Sequence, residues 1–288
     1  MSSGKTKKSK SIYAGKPVSS FKFEHIIYEK KDYKAVITIN REKVLNSLNL
    51  TTISELTKAF KDASWDDKIA VIILTGSGRK AFSTGADLNE QQEYFLGNPT
   101  DYYKWMYEFI QLHEVMRNTG KPLIARLNGI VVGGGNELNM SCDLAIAADH
   151  IYIRQVGAAR GSVAAAGATQ FLPLIVGDRR AREILFLCEE IPAEKALQWG
   201  LVNQVVPYSQ LDKAVDEMAL KLFNKLPECL RYTKQQLNFW RDLSWHTTIG
   251  HARDWLSIHN LSPEVKEGIS AFNQKRAVNY KKIRNRKK

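Results

Sequence analysis

Two stretches of the chain combine residue types that can do chemistry, Ala81 to Leu88 and Asn128 to Leu138. In each, a short apolar run is followed by glycine (Gly85 in the first, Gly133, Gly134 and Gly135 in the second) and then by a segment of helical character. The first turn of a helix leaves about four backbone N–H groups without intrahelical partners, and the helix dipole adds partial positive charge there. Glycine removes the side chain that would hold a ligand away from that backbone. Two such turns facing each other would aim two N–H donors at one oxygen, an arrangement that stabilises an oxyanion. Glu137 lies one helical turn beyond Gly133 and would stand beside any ligand held there. Glycine triplets also mark tight turns or close backbone packing, and Glu137 also reads as a helix-surface or first-turn carboxylate. The triplet lacks the spaced glycines and later acidic residue of a dinucleotide fingerprint, and no GxxxxGK[ST] phosphate loop occurs.

The elements that must position these turns follow from periodicity. Glu24 to Tyr28 and Ala35 to Ile39 read as strands about a polar turn from Lys30 to Tyr33. Residues 51–62 carry Ile53, Leu56, Ala59 and Phe60 at helical spacing, and Ile69 to Leu74 is a strand buried on both faces. A second helical stretch begins near Ala86, and the β-β-α order then recurs through Leu123–Leu127, Gly129–Val132 and a helix reaching Met140. Asn98, Pro99 and Asp101 supply an N-cap, a first-turn proline and a first-turn acid. Behind them Tyr102, Trp105, Met106, Phe109, Ile110, His113 and Met116 form one apolar stripe. From Leu211 onward helices dominate. The expected organisation is a basic tail over 1–22, a β/α core over 23–210, a helical region over 211–274 and a second basic tail over 275–288.

Composition narrows the class. With 44% hydrophobic and 25% charged residues, the 288-residue chain has enough apolar material for a sizeable core and does not read as disordered. No apolar run reaches the roughly 20 residues that span a bilayer, and the charged start MSSGKTKKSK is not a secretory signal. Cys142, Cys188 and Cys229 form neither a disulfide framework nor a metal pattern, so a cytoplasmic location is expected. His246 and His251 are five apart, a poor zinc pairing, and no metal is expected. The net charge of +12 belongs to the ends: residues 1–10 and 275–288 hold all of it, while residues 11–274 carry 30 basic and 30 acidic groups. Nucleic-acid binding would therefore rest on the tails.

At these residues the sequence resembles the crotonase superfamily, which includes enoyl-CoA hydratases and isomerases. KAFSTGADL (Lys80–Leu88), ARLNGIVVGGGNELNMSCDLAIA (Ala125–Ala147), AEKALQWGLVNQVV (Ala193–Val206) and EGISAFNQKR (Glu267–Arg276) follow family blocks in family order over roughly residues 23–280. The resemblance implies an α/β spiral of ββα units with a helical C-terminal trimerisation region, as homotrimers or hexamers. It implies an acyl-CoA substrate, with coenzyme A as part of it and no tightly bound cofactor. By position, Ala86 and Gly134 would donate to the thioester oxygen, and Glu137 would be the catalytic acid or base. Gly85, Asp87, Leu88 and Gly133 would line the acyl site, and Phe272 and Lys275 would approach coenzyme A.

One position departs from the hydratases. Gly157 stands where they place a second glutamate, and the loop from Gly161 to Gly167 contains no acid. Glycine there resembles the branch of dihydroxynaphthoyl-CoA synthases and alicyclic oxoacyl-CoA hydrolases, some of whose members hold bicarbonate in the gap. The Glu93-Tyr94-Phe95 stretch is similar to 6-oxocyclohexene-carbonyl-CoA hydrolases, and Tyr94, Phe95, Tyr102 and Tyr103 are candidate walls for a ring. Ser162, Arg160 and Gln155 are polar candidates near the gap, whereas Trp105 and Phe109 read as core. The leading expectation is hydratase-type water addition to a cyclic or conjugated acyl-CoA. Ring-opening hydrolysis of a cyclic oxoacyl-CoA, a naphthoate-synthase-like cyclisation and a non-enzymatic RNA-binding role stand as alternatives.

Overall fold

Ile26–Lys31 (β1) and Lys34–Ile39 (β2) make an antiparallel hairpin whose burial alternates along each strand, as at a sheet edge with one face on the core. Its turn contains Asp32 at φ +54°. The structure is a computed structural model that describes residues 14–164 and 166–284; most of the basic N-terminal tail and the last four residues lie outside it. Helix α1 (Leu50–Trp65) begins at Asn49, whose side chain accepts from the Thr52 amide at 3.0 Å, and packs against the hairpin and against the long helix α3 described below. Strand β3 (Val71–Gly76) follows, buried at all six positions. It starts two residues later than the apolar run suggests, because the amides of Ala70 and Val71 both donate to Tyr33 O at the entry to the sheet.

From β3 onward, successive turns of the chain give a strand to each of two sheets. These strands are β4 (Ala81–Ser83), β5 (Leu123–Leu127), β6 (Ile130–Val132), β7 (Leu144–Ala148), β8 (Tyr152–Arg154), β9 (Ile191–Pro192) and β10 (Gln204–Val206). The six-stranded sheet runs β1-β2-β3-β5-β7-β10, parallel from β2 onward, and the four-stranded sheet runs β4-β6-β8-β9. This is the α/β spiral of ββα units that the resemblance implies.

The region after Ala86 is not one helix. It is a three-residue turn α2 (Leu88–Glu90), then a widened π turn over Gln91–Phe95, and it stops at Gly97, which has φ +77°. Helix α3 (Pro99–Asn118) starts where its punctuation predicts, with Asn98 accepting from the Asp101 amide at 3.2 Å. The remaining helices are α4 (Gly134–Ser141), α5 (Gly157–Arg160), α6 (Ala168–Val176), α7 (Asp178–Leu187), α8 (Ala193–Gln198), α9 (Leu211–Phe223), α10 (Pro227–His259), α11 (Pro263–Asn273) and α12 (Tyr280–Arg284). The 33-residue α10, about 50 Å long at 1.5 Å per residue, packs on α3 and α6. Its Trp245 is fully buried, stacked on Phe171 at 5.4 Å, and the Arg117 guanidinium lies 4.9 Å from the Trp245 ring centre. The helical region therefore shares the core of the spiral. Among the described residues no helix is long and apolar enough to cross a membrane.

Candidate active site

The first glycine turn is fixed by a short bridge to Leu48. The Leu48 amide donates to Gly85 O at 2.8 Å, and the Asp87 amide donates to Leu48 O at 3.0 Å. Backbone groups alternate in direction along an extended segment, so the Ala86 amide, lying between these two bonded groups, faces away from Leu48. Asp87 anchors the turn from the other end. Its carboxylate accepts from the Asn89 and Glu90 amides, capping α2, and pairs with Arg41 at 2.8 Å and with the Ser47 hydroxyl at 3.2 Å. Burial pushes the Asp87 carboxyl up, but the Arg41 guanidinium and the hydrogen bonds outweigh it and hold the group below the ordinary aspartate value.

The second turn places Gly133 at φ +54° and ψ −121°, a conformation open to glycine and strained for other residues. The Gly133 amide donates to Arg154 O of β8, and its carbonyl accepts from the amides of Asn136 and Glu137. Gln155 Nε2 also donates to that carbonyl, at 3.4 Å. Gly134 is the first residue of α4, so its amide is one of those without an intrahelical acceptor. The two turns touch through backbone: a Cβ built on Gly85 would lie 2.7 Å from Gly134 N and 3.0 Å from Val132 O.

In front of these turns lies a cavity of about 150 Å³, walled by Tyr102, Trp105, Phe109 and Leu256, with Glu137 and Ser162 among its polar groups. Glu137 is 5% exposed, and burial pushes its carboxyl up to about 8, against a hydrogen bond from the Ala166 amide that favours the charged form. Burial also raises the Tyr102 phenol, helped by the nearby Glu137 carboxyl and opposed by a hydrogen bond from the Ser162 hydroxyl. The cavity shares Thr84, Ala86, Leu88, Val156 and Arg160 with an outer groove of about 390 Å³, which adds Lys43, Arg154 and Phe272. The arrangement is an apolar chamber with one titratable carboxyl and a flanking channel that carries cationic side chains.

Most of the sequence candidates meet here. Ala86, Gly133, Gly134, Glu137, Leu88, Gly157 and Ser162 line the inner cavity, and Gly85 lies beneath it as the spacer between the turns. Asp87 lies on the outer groove and is occupied by Arg41 and the α2 cap. Phe272 lines the outer groove with the Arg160 guanidinium 5.5 Å from its ring centre, while Lys275 is exposed and lines neither space. Tyr94 is 58% exposed and lines neither, whereas Phe95 turns into the core. Trp105 and Phe109 are both core and cavity wall. His246 and His251 are exposed, and among the described residues no group of three His, Cys, Asp or Glu is arranged to hold a metal.

Gly157 lines the inner cavity and lies close against the 162–164 loop. A Cβ at that position would lie 2.9 Å from Ser162 O and 3.1 Å from Ala164 N. The 162–164 backbone therefore stands where a Cβ at position 157 would be, so a larger residue there requires the loop to shift. Tyr102, 60 residues before Ser162 in the chain, lines this cavity beside it.

The enoyl-CoA hydratase/isomerase family model matches residues 29–284. The chain is 30% identical, over 292 aligned positions, to the 6-oxocyclohex-1-ene-1-carbonyl-CoA hydrolase of Geobacter metallireducens; the match spans 84% of this chain and 76% of the relative. Among solved structures, an enoyl-CoA hydratase from Mycobacterium avium subsp. paratuberculosis is similar at TM-score 0.81 and 26% identity, covering 90% of this chain and 99% of the other. An enoyl-CoA hydratase from Bacillus anthracis is similar at TM-score 0.73 and 30% identity, covering 88% and 98%.

Proposed function

The chain belongs to the enoyl-CoA hydratase/isomerase family of the crotonase superfamily, and on that premise we propose that it adds water to a ring double bond conjugated with a coenzyme A thioester. The family acts on coenzyme A thioesters without a tightly bound cofactor. The observation that carries the finer reading is the inner cavity. Its volume of about 150 Å³ and its aromatic wall match a space that accepts one benzene-sized ring.

In this reading the amides of Ala86 and Gly134 hold the thioester oxygen, and the acyl ring enters between Phe109 and Tyr102. The carboxylate form of Glu137 takes a proton from water as the water oxygen bonds to the β-carbon. The π electrons of the ring double bond move to the thioester oxygen, giving an enolate that the two amides stabilise more than the ground state. Glu137, now protonated, returns that proton to the α-carbon. One carboxyl thus serves both steps, and a value of about 8 keeps both of its forms populated near neutral pH. Pure enzyme incubated with cyclohex-1-ene-1-carbonyl-CoA should yield a product heavier by one water. Glu137→Gln should lower turnover at least about 100-fold while thioester binding stays nearly intact. Absence of water uptake, or unchanged turnover in that variant, overturns the reading.

The relative from Geobacter metallireducens supports a second reading, ring cleavage of a cyclic oxoacyl-CoA. With 6-oxocyclohex-1-ene-1-carbonyl-CoA, uptake of two waters and an open-chain dicarboxylic monothioester would establish cleavage, whereas one water means hydration alone. The family reading also has the chain assembling as a trimer or a pair of trimers. Assembly would cover exposed apolar side chains such as Leu237, Trp240 and Ile258 on α10. Analytical ultracentrifugation tests this, and a monomer would overturn it.

A further inference from the structure

Water addition requires that the attacking water be held by more than the group that deprotonates it, since one hydrogen bond does not fix its direction. Among the residues that line the cavity Glu137 is the only carboxylate, and a side chain at Gly157 would press its Cβ on the 162–164 backbone. Tyr102, in the first turns of α3, lines the same cavity as Glu137. Its ring is held on two sides, stacked on Trp105 at 5.9 Å and edge-on to Phe95 at 6.5 Å. Tyr102, Ser162 and Glu137 line the same cavity, and both the Ser162 hydroxyl and the Glu137 carboxyl act on the Tyr102 phenol. A phenol is both donor and acceptor, so one that accepts from Ser162 can still donate its own proton to a water in the cavity.

We propose that Tyr102, oriented by Ser162, is the second catalytic group of the site and donates a hydrogen bond to the water that Glu137 deprotonates. The residue therefore stands in for the missing carboxylate without replacing its acid–base role. Glu137 moves the proton, and Tyr102 fixes the oxygen over the β-carbon. In the reverse direction the same O–H steadies the departing hydroxyl. Ser162 is a positioning residue, acting through the phenol. The proposal rests on the hydration reading above and names how this chain manages with one carboxyl.

Tyr102→Phe keeps the ring and removes only the oxygen. Its kcat with cyclohex-1-ene-1-carbonyl-CoA should fall roughly 10²-fold or more, the range for a group acting on the transferred proton or its oxygen, with KM changed less than about threefold. Ser162→Ala should show a smaller loss of kcat, about tenfold, again with KM nearly unchanged; it tests the proposal should Tyr102→Phe fold poorly. A rise in KM with kcat preserved in both variants would make Tyr102 a mere wall and overturn the proposal. Glu137→Gln measured alongside separates the two failures. If it is inactive while Tyr102→Phe and Ser162→Ala keep full kcat, hydration stands and the role of Tyr102 falls. If Glu137→Gln is fully active, the hydration reading itself falls.

Discussion

The α-carbons of Gly85 and Gly134 lie face to face: a Cβ on Gly134 would be 3.4 Å from Gly85 Cα, and one on Gly85 only 2.7 Å from Gly134 N. Each glycine sets the distance between the two amides that the proposed reaction needs. Gly85 also has φ +79°, where an L side chain is strained. Gly85→Ala should push the turns apart and lower kcat about 10²–10³-fold, as loss of one oxyanion donor does. The accompanying loss of stability should be about 1–3 kcal/mol, the usual cost of overpacking. Steady-state kinetics with a urea melt checks both, and wild-type kcat in this variant would show that the two turns do not act on one oxygen.

Burial of Glu137 ties activity and stability to pH in opposite directions. Its ordinary value near 4.5 is raised to about 8 in the folded chain, so between these pH values the folded protein holds a proton that the unfolded chain releases. Its contribution is fully present below 4.5 and is lost as pH rises through 8. The loss should reach roughly 4–5 kcal/mol at most, each intervening pH unit being worth about 1.4 kcal/mol. Glu137→Gln should remove this slope and melt higher than the parent at pH 8, while the parent's kcat rises toward pH 8 as the carboxylate forms. Urea midpoints at pH 5, 6.5 and 8 for both proteins decide it, and parallel curves would place Glu137 in a wetter setting than its 5% exposure implies.

Gly157 allows a test of whether the missing acid can be restored. A glutamate there would drive its Cβ toward Ser162 O and Ala164 N, and both are backbone that cannot rotate away. Gly157→Glu should therefore not improve hydration and should cost about 1–3 kcal/mol as the loop shifts. Displacement of Ser162 should also lower kcat below that of the parent. An improved kcat with an unchanged melting temperature would show that the loop yields readily and that the gap is open in solution.

What could be read in the sequence was what local chemistry determines. The start of α3 follows from Asn98, Pro99 and Asp101, and the start of α9 from its stripe at Leu211, Ala214 and Val215. The two glycine turns and Glu137 were legible because their residues are contiguous and their spacing carries the meaning. The segment after Asp87 was not, since Leu88, Gln91 and Phe95 keep a helical spacing while the backbone widens into a π turn before Gly97 ends it. Tyr94 and Phe95 are neighbours with opposite fates, exposed and buried, and composition gives no sign of which one turns inward. Tyr102 and Ser162 come to one cavity only through tertiary folding. Gly157 reads in the sequence as an absent side chain, and only the fold shows that the 162–164 backbone stands where its Cβ would be.

Arg41 and Asp87 hold the first donor turn from outside the cavity. Arg41 Nη1 donates to Asp87 Oδ2 at 2.8 Å and to Ser47 O at 2.7 Å, so the pair ties the Ala86 turn to the loop leading into α1. Asp87 is 7% exposed, and removal of Arg41 would leave its charge buried without a countercharge. Arg41→Met should cost about 3–5 kcal/mol, the range for breaking a buried pair on one side. Arg41→Met combined with Asp87→Asn should recover part of that loss, since the amide can still cap α2. The depressed Asp87 value fixes the sign with pH: its contribution is present above the ordinary value of 3.8 and is lost as pH falls through the lower folded value. The parent should thus lose more stability on acidification below 3.8 than the double variant does. Chemical denaturation of the four members of the cycle measures the coupling, and additive losses would show that Arg41 and Asp87 act separately and that the turn is held by its bridge to Leu48 alone.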